Sequence, residues 1–151
     1  MPNDTRAIDV HSHAMPMPLL HWLASNGLAD LSSVGQNIVR LDPQISGVGP
    51  GAPLPLAPSQ HDPAIRLQEM DEMGVSHHAV AMPPFLFAST CTDPELVKEV
   101  IARGNDGLAE FCAADPERLL ALGSVPLGIE GAADEARRCL DELGMSGITI
   151  G

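Results

Sequence analysis

Two rhythms of apolar residues alternate along the chain, one with the period of a strand and one with that of a helix. Ala7-Ile8-Asp9-Val10 reads as a short strand that delivers His11-Ser12-His13. Pro18 to Asn26 reads as a helix stopped by Gly27. Asp62-Pro63 and Asp93-Pro94 each set an N-cap before a proline at the first helical position. The first opens a helix through Ile65, Met70 and Met73 to a stop at Gly74. The second opens a helix whose apolar stripe is Val97, Val100, Ile101, Leu108 and Phe111. A further helix spans Glu130 to Leu143, with Ala133, Ala136, Leu140 and Leu143 on one face. Strands are expected at Ser76 to Met82, Leu119 to Val125 and Ser146 to Ile150.

Strand and helix in strict alternation predict an α/β fold of about four parallel strands joined by right-handed crossovers. An open doubly wound sheet and part of a barrel both satisfy the pattern. Between Leu28 and Gln60 the rhythm dissolves. Pro43, Pro50, Pro53, Pro55 and Pro58, with Gly47, Gly49 and Gly51, exclude a long helix or a central strand there. Residues 28–60 are therefore expected to be an irregular surface insertion, a lid or binding loop within one continuous domain.

Composition narrows the class. The chain has 151 residues, 44% of them apolar, which suits one domain with its own core. Aromatics make up only 3%, so aliphatic and methionine side chains must fill the interior. The net charge of −12 argues against nucleic acid or an anionic membrane surface as partner. Cys91, Cys112 and Cys139 are far apart and form no CxxC pair, so Cys112 and Cys139 read as small buried hydrophobes in a reducing, cytoplasmic protein. Met1 to Arg6 is polar with no apolar signal core behind it. The most apolar run, Ala79 to Ala88, is broken by Pro83 and Pro84 and falls short of the roughly 20 residues of a membrane span.

The chemistry concentrates at the exit of the first strand. Side chains alternate along a strand, so Asp9, His11 and His13 are expected on one face. Two imidazoles at the C-terminal end of a parallel strand can point at one ion, and that end is where such enzymes place their chemistry. Neutral imidazole suits zinc and equally iron, cobalt, nickel or manganese. Asp9, one residue pair deeper, could orient a ligand or serve as a structural cap. His77 and His78 begin the second strand of the repeat and belong at the opposite end. His21 reads as an ordinary helix histidine, and His61 sits just before a helix, a candidate for the mouth of the site. Two histidines do not complete a catalytic metal site, which usually takes three protein ligands.

Several segments resemble one family. They are Ile8-Asp9-Val10-His11-Ser12-His13, the stretch from Asp62-Pro63 to Gly74-Val75, Asp115-Pro116-Glu117-Arg118, and Leu143-Gly144 through Ile150-Gly151. Their order and spacing resemble the amidohydrolase superfamily, in its branch around aminocarboxymuconate-semialdehyde decarboxylase. The resemblance covers nearly the whole chain except the Pro/Gly loop. It implies the N-terminal half of a (β/α)8 TIM barrel, with residues 1–151 a partial barrel domain. It implies that His11 and His13 bind a divalent metal, usually zinc, and that the remaining metal ligands and a catalytic histidine come from later strands. No catalytic residue is therefore assigned in this chain. Arg40 is the nearest match to a basic residue that holds a substrate carboxylate, and Phe85 and Phe87 could line the pocket mouth.

The implied activity is non-oxidative decarboxylation of a small unsaturated carboxylic acid, with metal-dependent hydrolysis of an amide or lactone as the alternative. A third reading is a catalytically incomplete piece that needs a partner copy or a second half. Four strands alone would leave two open edges, which invites pairing, so a homo-oligomer is expected.

Overall fold

A computed structural model describes residues 7–150; the polar stretch Met1 to Arg6 and Gly151 lie outside them. In chain order the main elements begin with β1 (Ala7–His13), α1 (Met17–Ser25), β2 (Ala29–Asp30), β3 (Ile38–Leu41), α2 (Pro43–Ser46) and β4 (Leu54–Pro55). They continue with α3 (Pro63–Met73), β5 (Val75–Ala81), α4 (Pro94–Cys112), β6 (Leu119–Ser124), α5 (Ala132–Arg137) and β7 (Gly147–Thr149).

The expected repeat is present. β1, β5, β6 and β7 form a parallel sheet in that order, each joined to its neighbour through a helix. The two Asp-Pro starts work as read: Asp62 accepts from the amides of Ala64 and Ile65, and Asp93 from those of Glu95 and Leu96. Gly74 closes α3 at φ +69°, a conformation that costs glycine nothing.

Burial separates the two faces of the sheet. On β6, Leu119 and Ala121 are buried in a core with Met70, Leu108, Phe111 and Cys112, which the helices supply. Leu120 and Leu122, on the other face, are only half-buried. Helices on one face and a partly bare second face suit a curling barrel sheet rather than a doubly wound one. Cys112 and Cys139 lie in this core as expected, and burial pushes their thiols up to about 12 and about 11.

Residues 28–60 differ from the expectation. They are not an irregular surface excursion: β2, β3 and β4 form a small antiparallel sheet with β3 in the middle. Val39, Ile45 and Leu56 are fully buried there, in a second core with Leu19, Leu20 and Leu23 of α1 and Val97, Val100 and Ile101 of α4. The prolines flank β3 or close β4, so none interrupts the central strand.

Two helix faces also differ. On α3 the buried side chains are Arg66 and Met70, while Met73 is 62% exposed. After α5 the chain continues as a wider π-wound turn, Arg138–Glu142. The wider winding rotates Cys139 into the core and leaves Leu140 exposed.

Candidate metal centre

β1 carries the histidines, and its pairing with β5 decides where they point. Asp9 pairs with His78 and Ser12 with Val80, so three steps on β1 match two on β5. That is a bulge, and it breaks the alternation of faces. Val80 lies in the helix-side core, so its partner Ser12 and the preceding pair Asp9–His78 face the helices as well. His13 pairs with Ala81, one step on, and faces the other way. The shared face expected for Asp9, His11 and His13 is therefore corrected: the two histidines stay together and Asp9 turns to the helix side.

The two rings meet edge to face, with centroids 4.8 Å apart and Nε2 atoms 3.3 Å apart. Two nitrogens each bound at about 2.0–2.1 Å to one tetrahedral ion would be separated by roughly this distance. The pair thus fits a divalent ion held by two imidazoles. The donor chemistry agrees, because burial, the largest influence, lowers the pKa of His13 and keeps it the neutral imidazole that a metal requires. The Ala81 and Met82 carbonyls oppose that shift, yet neither closes a hydrogen bond to the buried Nδ1 of His13. Among the described residues, no three His, Cys, Asp or Glu side chains converge as a metal set.

Behind β1 lies a polar cluster that the residue pattern did not reveal. Arg66 is 6% exposed. Its Nε donates to the Ser59 carbonyl at 2.8 Å, one terminal nitrogen contacts His78 Nδ1 at 3.2 Å, and the other donates to the His13 carbonyl. Arginine only donates, so His78 Nδ1 must accept and the ring proton sits on Nε2. That Nε2 faces Asp9 Oδ2 at 3.8 Å, while Asp9 Oδ1 accepts the His11 amide at 2.9 Å. Burial first, then the Arg66 charge, lowers the pKa of His78. The only sequence signal for this role was the helical phase of Arg66, three residues ahead of Glu69 and four ahead of the core residue Met70.

The other expected residues are spread out. Arg40 lies on β3, donates to Ser33 Oγ at 3.0 Å and pairs across the small sheet with Asp30. It makes no hydrogen bond to either histidine. Phe85 and Phe87 pack against the core beneath the small sheet. Phe87 also walls a hollow of about 310 Å³ at the C-terminal ends of β6 and β7, with Ser124 and Thr149. His78 is the fourth of the seven residues of β5 and pairs with Asp9 on one side and Leu119 on the other, so it sits mid-strand and not at the far end expected for it. His61 lies by Pro16 and Glu110, beside the β1–α1 junction.

Comparison with known proteins places this arrangement. Residues 8–151 match the family model described as amidohydrolase. The chain belongs to the amidohydrolase family. It is 33% identical over 91 residues to 2-amino-3-carboxymuconate-6-semialdehyde decarboxylase of Dictyostelium discoideum, covering 60% of this chain and 25% of that protein. It is 34% identical over 87 residues to gamma-resorcylate decarboxylase of a Rhizobium strain, covering 56% and 26%. A crystal structure of 2,6-dihydroxybenzoate decarboxylase superposes with a TM-score of 0.56 at 25% identity, covering 95% of this chain and 37% of that one. A 5-carboxyvanillate decarboxylase from Novosphingobium aromaticivorans, with bound manganese, superposes with a TM-score of 0.63 at 21% identity, covering 99% and 43%. The matched segment spans about a quarter of the curated relatives' length. The four-stranded sheet is the N-terminal half of a TIM barrel.

Proposed function

We propose that this chain is the metal-bearing half of a divalent-metal-dependent decarboxylase acting on a small unsaturated or aromatic carboxylic acid. The observation that carries the reading is the 3.3 Å separation of the His11 and His13 Nε2 atoms at the C-terminal end of β1. The decarboxylase names of the relatives support the reaction class.

His11 and His13 would hold the ion. Zinc is the ion proposed, since the nitrogen spacing suits a tetrahedral ion, and the manganese of one structural relative makes manganese its rival. When bound, the ion supplies Lewis-acid polarisation of a substrate oxygen. The chain's own residues do the rest of what this half can do. Asp9 orients His11 through its amide. Phe85 and Phe87 would wall the mouth, and Arg40 would anchor a substrate carboxylate. The acid–base groups of the reaction come from further strands.

The sheet edges favour a second element in this reading. Ile8 is 57% and Val10 76% exposed on β1, an outer strand of the sheet. A homo-oligomer also belongs to the proposal, with these exposed apolar side chains as candidates for burial in it. A cytoplasmic setting fits the three free cysteines, and no helix among the described residues is long and apolar enough to cross a membrane.

The test is carbon dioxide release by a longer protein that carries this half and the remaining strands. Dihydroxybenzoates and amino-carboxymuconate-type acids are offered alongside amide and lactone controls. Release that disappears with chelator and returns with Zn²⁺ or Mn²⁺ is expected. Release that persists after complete metal removal contradicts the proposal.

A further inference from the structure

We propose that Arg66, acting with His78 and Asp9, is the positioning device for the metal histidines: a polar clamp on the helix side of β1 that sets the spacing of their Nε2 atoms. The inference rests on the reading that His11 and His13 hold a divalent ion.

The guanidinium is buried, yet among the described residues no carboxylate lies within ion-pair distance of it. Burying a charge without a counter-ion is costly, and an apolar side chain of similar volume would fill the same space more cheaply. What the guanidinium adds is direction. Its planar fork reaches three acceptors on three segments: the Ser59 carbonyl before α3, His78 on β5, and the His13 carbonyl at the end of β1.

The clamp also reaches the other histidine. Arg66 fixes the His78 tautomer, which leaves a buried N–H 3.8 Å from Asp9 with no hydrogen-bond partner, so the link to Asp9 is electrostatic, and Asp9 holds the His11 amide. That amide lies inside the bulge between Asp9 and Ser12, where β1 has no register partner on β5. A bulge frees a backbone group from the ladder, and here a carboxylate captures it. The backbone is thus gripped from behind at both metal residues, His11 by its N–H and His13 by its C=O. Both rings project to the opposite face. A ligand pair that must hold its geometry to about 0.5 Å gains from such a frame.

The experiment uses Arg66→Met, Arg66→Lys and Asp9→Ala in the chain. Two readouts are taken: Zn²⁺ titration by calorimetry, and the positions of the His11 and His13 rings in metal-free crystal structures. His13→Ala reports on the metal reading itself. Thermal midpoints in EDTA report on the fold alone. Expected are a roughly 10–100-fold loss of Zn²⁺ affinity in Arg66→Met and Asp9→Ala, partial recovery in Arg66→Lys, and ring displacements beyond about 0.5 Å. Wild-type affinity with unmoved rings in both variants overturns the clamp. If wild type and His13→Ala bind Zn²⁺ equally, the metal reading fails, and the ring positions alone decide the clamp. Should Arg66→Met not fold, Asp9→Ala decides, because its side chain is 42% exposed and its loss leaves the core intact.

Discussion

His11 and His13 turn their Nε2 atoms to within 3.3 Å of each other on one face of β1, while Asp9, two residues earlier, points to the other face. The bulge between Asp9 and Ser12 produces both facts. It lets a single short strand present two imidazoles to one face of the sheet and one carboxylate to the helix layer.

Stability should fall as the solution becomes mildly acidic. Burial lowers the pKa of both His13 and His78 below 6.5. The unfolded chain then binds protons that the native chain refuses. This contribution is complete above 6.5 and is lost as pH falls from 6.5 toward the native pKa values. Urea midpoints from pH 8 to pH 5.5 in the presence of EDTA check it; a midpoint that rises as pH falls through 6.5 is the opposite result.

Asn105→Ala should destabilise the chain by about 3 kcal/mol, since it leaves two buried backbone groups without partners. Asn105 is fully buried, takes the Ser124 amide at 2.8 Å and returns a donor to the Ser124 carbonyl at 2.8 Å. The same amide nitrogen donates to Glu135. Denaturant unfolding of the variant measures the loss, and a change below about 0.5 kcal/mol would show the contact to be dispensable.

Gly107→Ala should destabilise by roughly 1–3 kcal/mol, the usual cost of overpacking. A Cβ there would come to 2.5 Å from Cβ of Pro16, part of a rigid ring at the junction where β1 leaves the site. The clash pushes on the segment that follows His13. A lowered thermal midpoint is expected, and an unchanged one would mean that α4 can move away freely.

Much of this was legible in the residues, and the exceptions have physical causes. Asp62 and Asp93 announce their helices because an N-cap acts locally. The His11–His13 pairing survives although His11 lies inside the bulge, because the two rings still meet edge to face. The placement of Asp9 was not legible, since strict alternation assumes an unbroken ladder and β1 breaks it. Nor was the burial of Arg66: hydropathy favours Ile65 and Met73 for the inner face, whereas three acceptors on other segments hold Arg66 inside. Val39 and Leu41 were hidden in a Pro/Gly-rich stretch because strands of two to four residues show too short a pattern to register. The π-wound turn at Arg138 shifts the phase of a helix whose stripe otherwise pointed to Leu140.

Zinc K-edge X-ray absorption on the chain loaded with one equivalent of Zn²⁺ tests the central claim most directly. The account predicts two imidazole nitrogens in the first shell at about 2.0–2.1 Å, and their disappearance in the His11→Ala/His13→Ala variant. A first shell of oxygen alone, the same in wild type and in that variant, would contradict it.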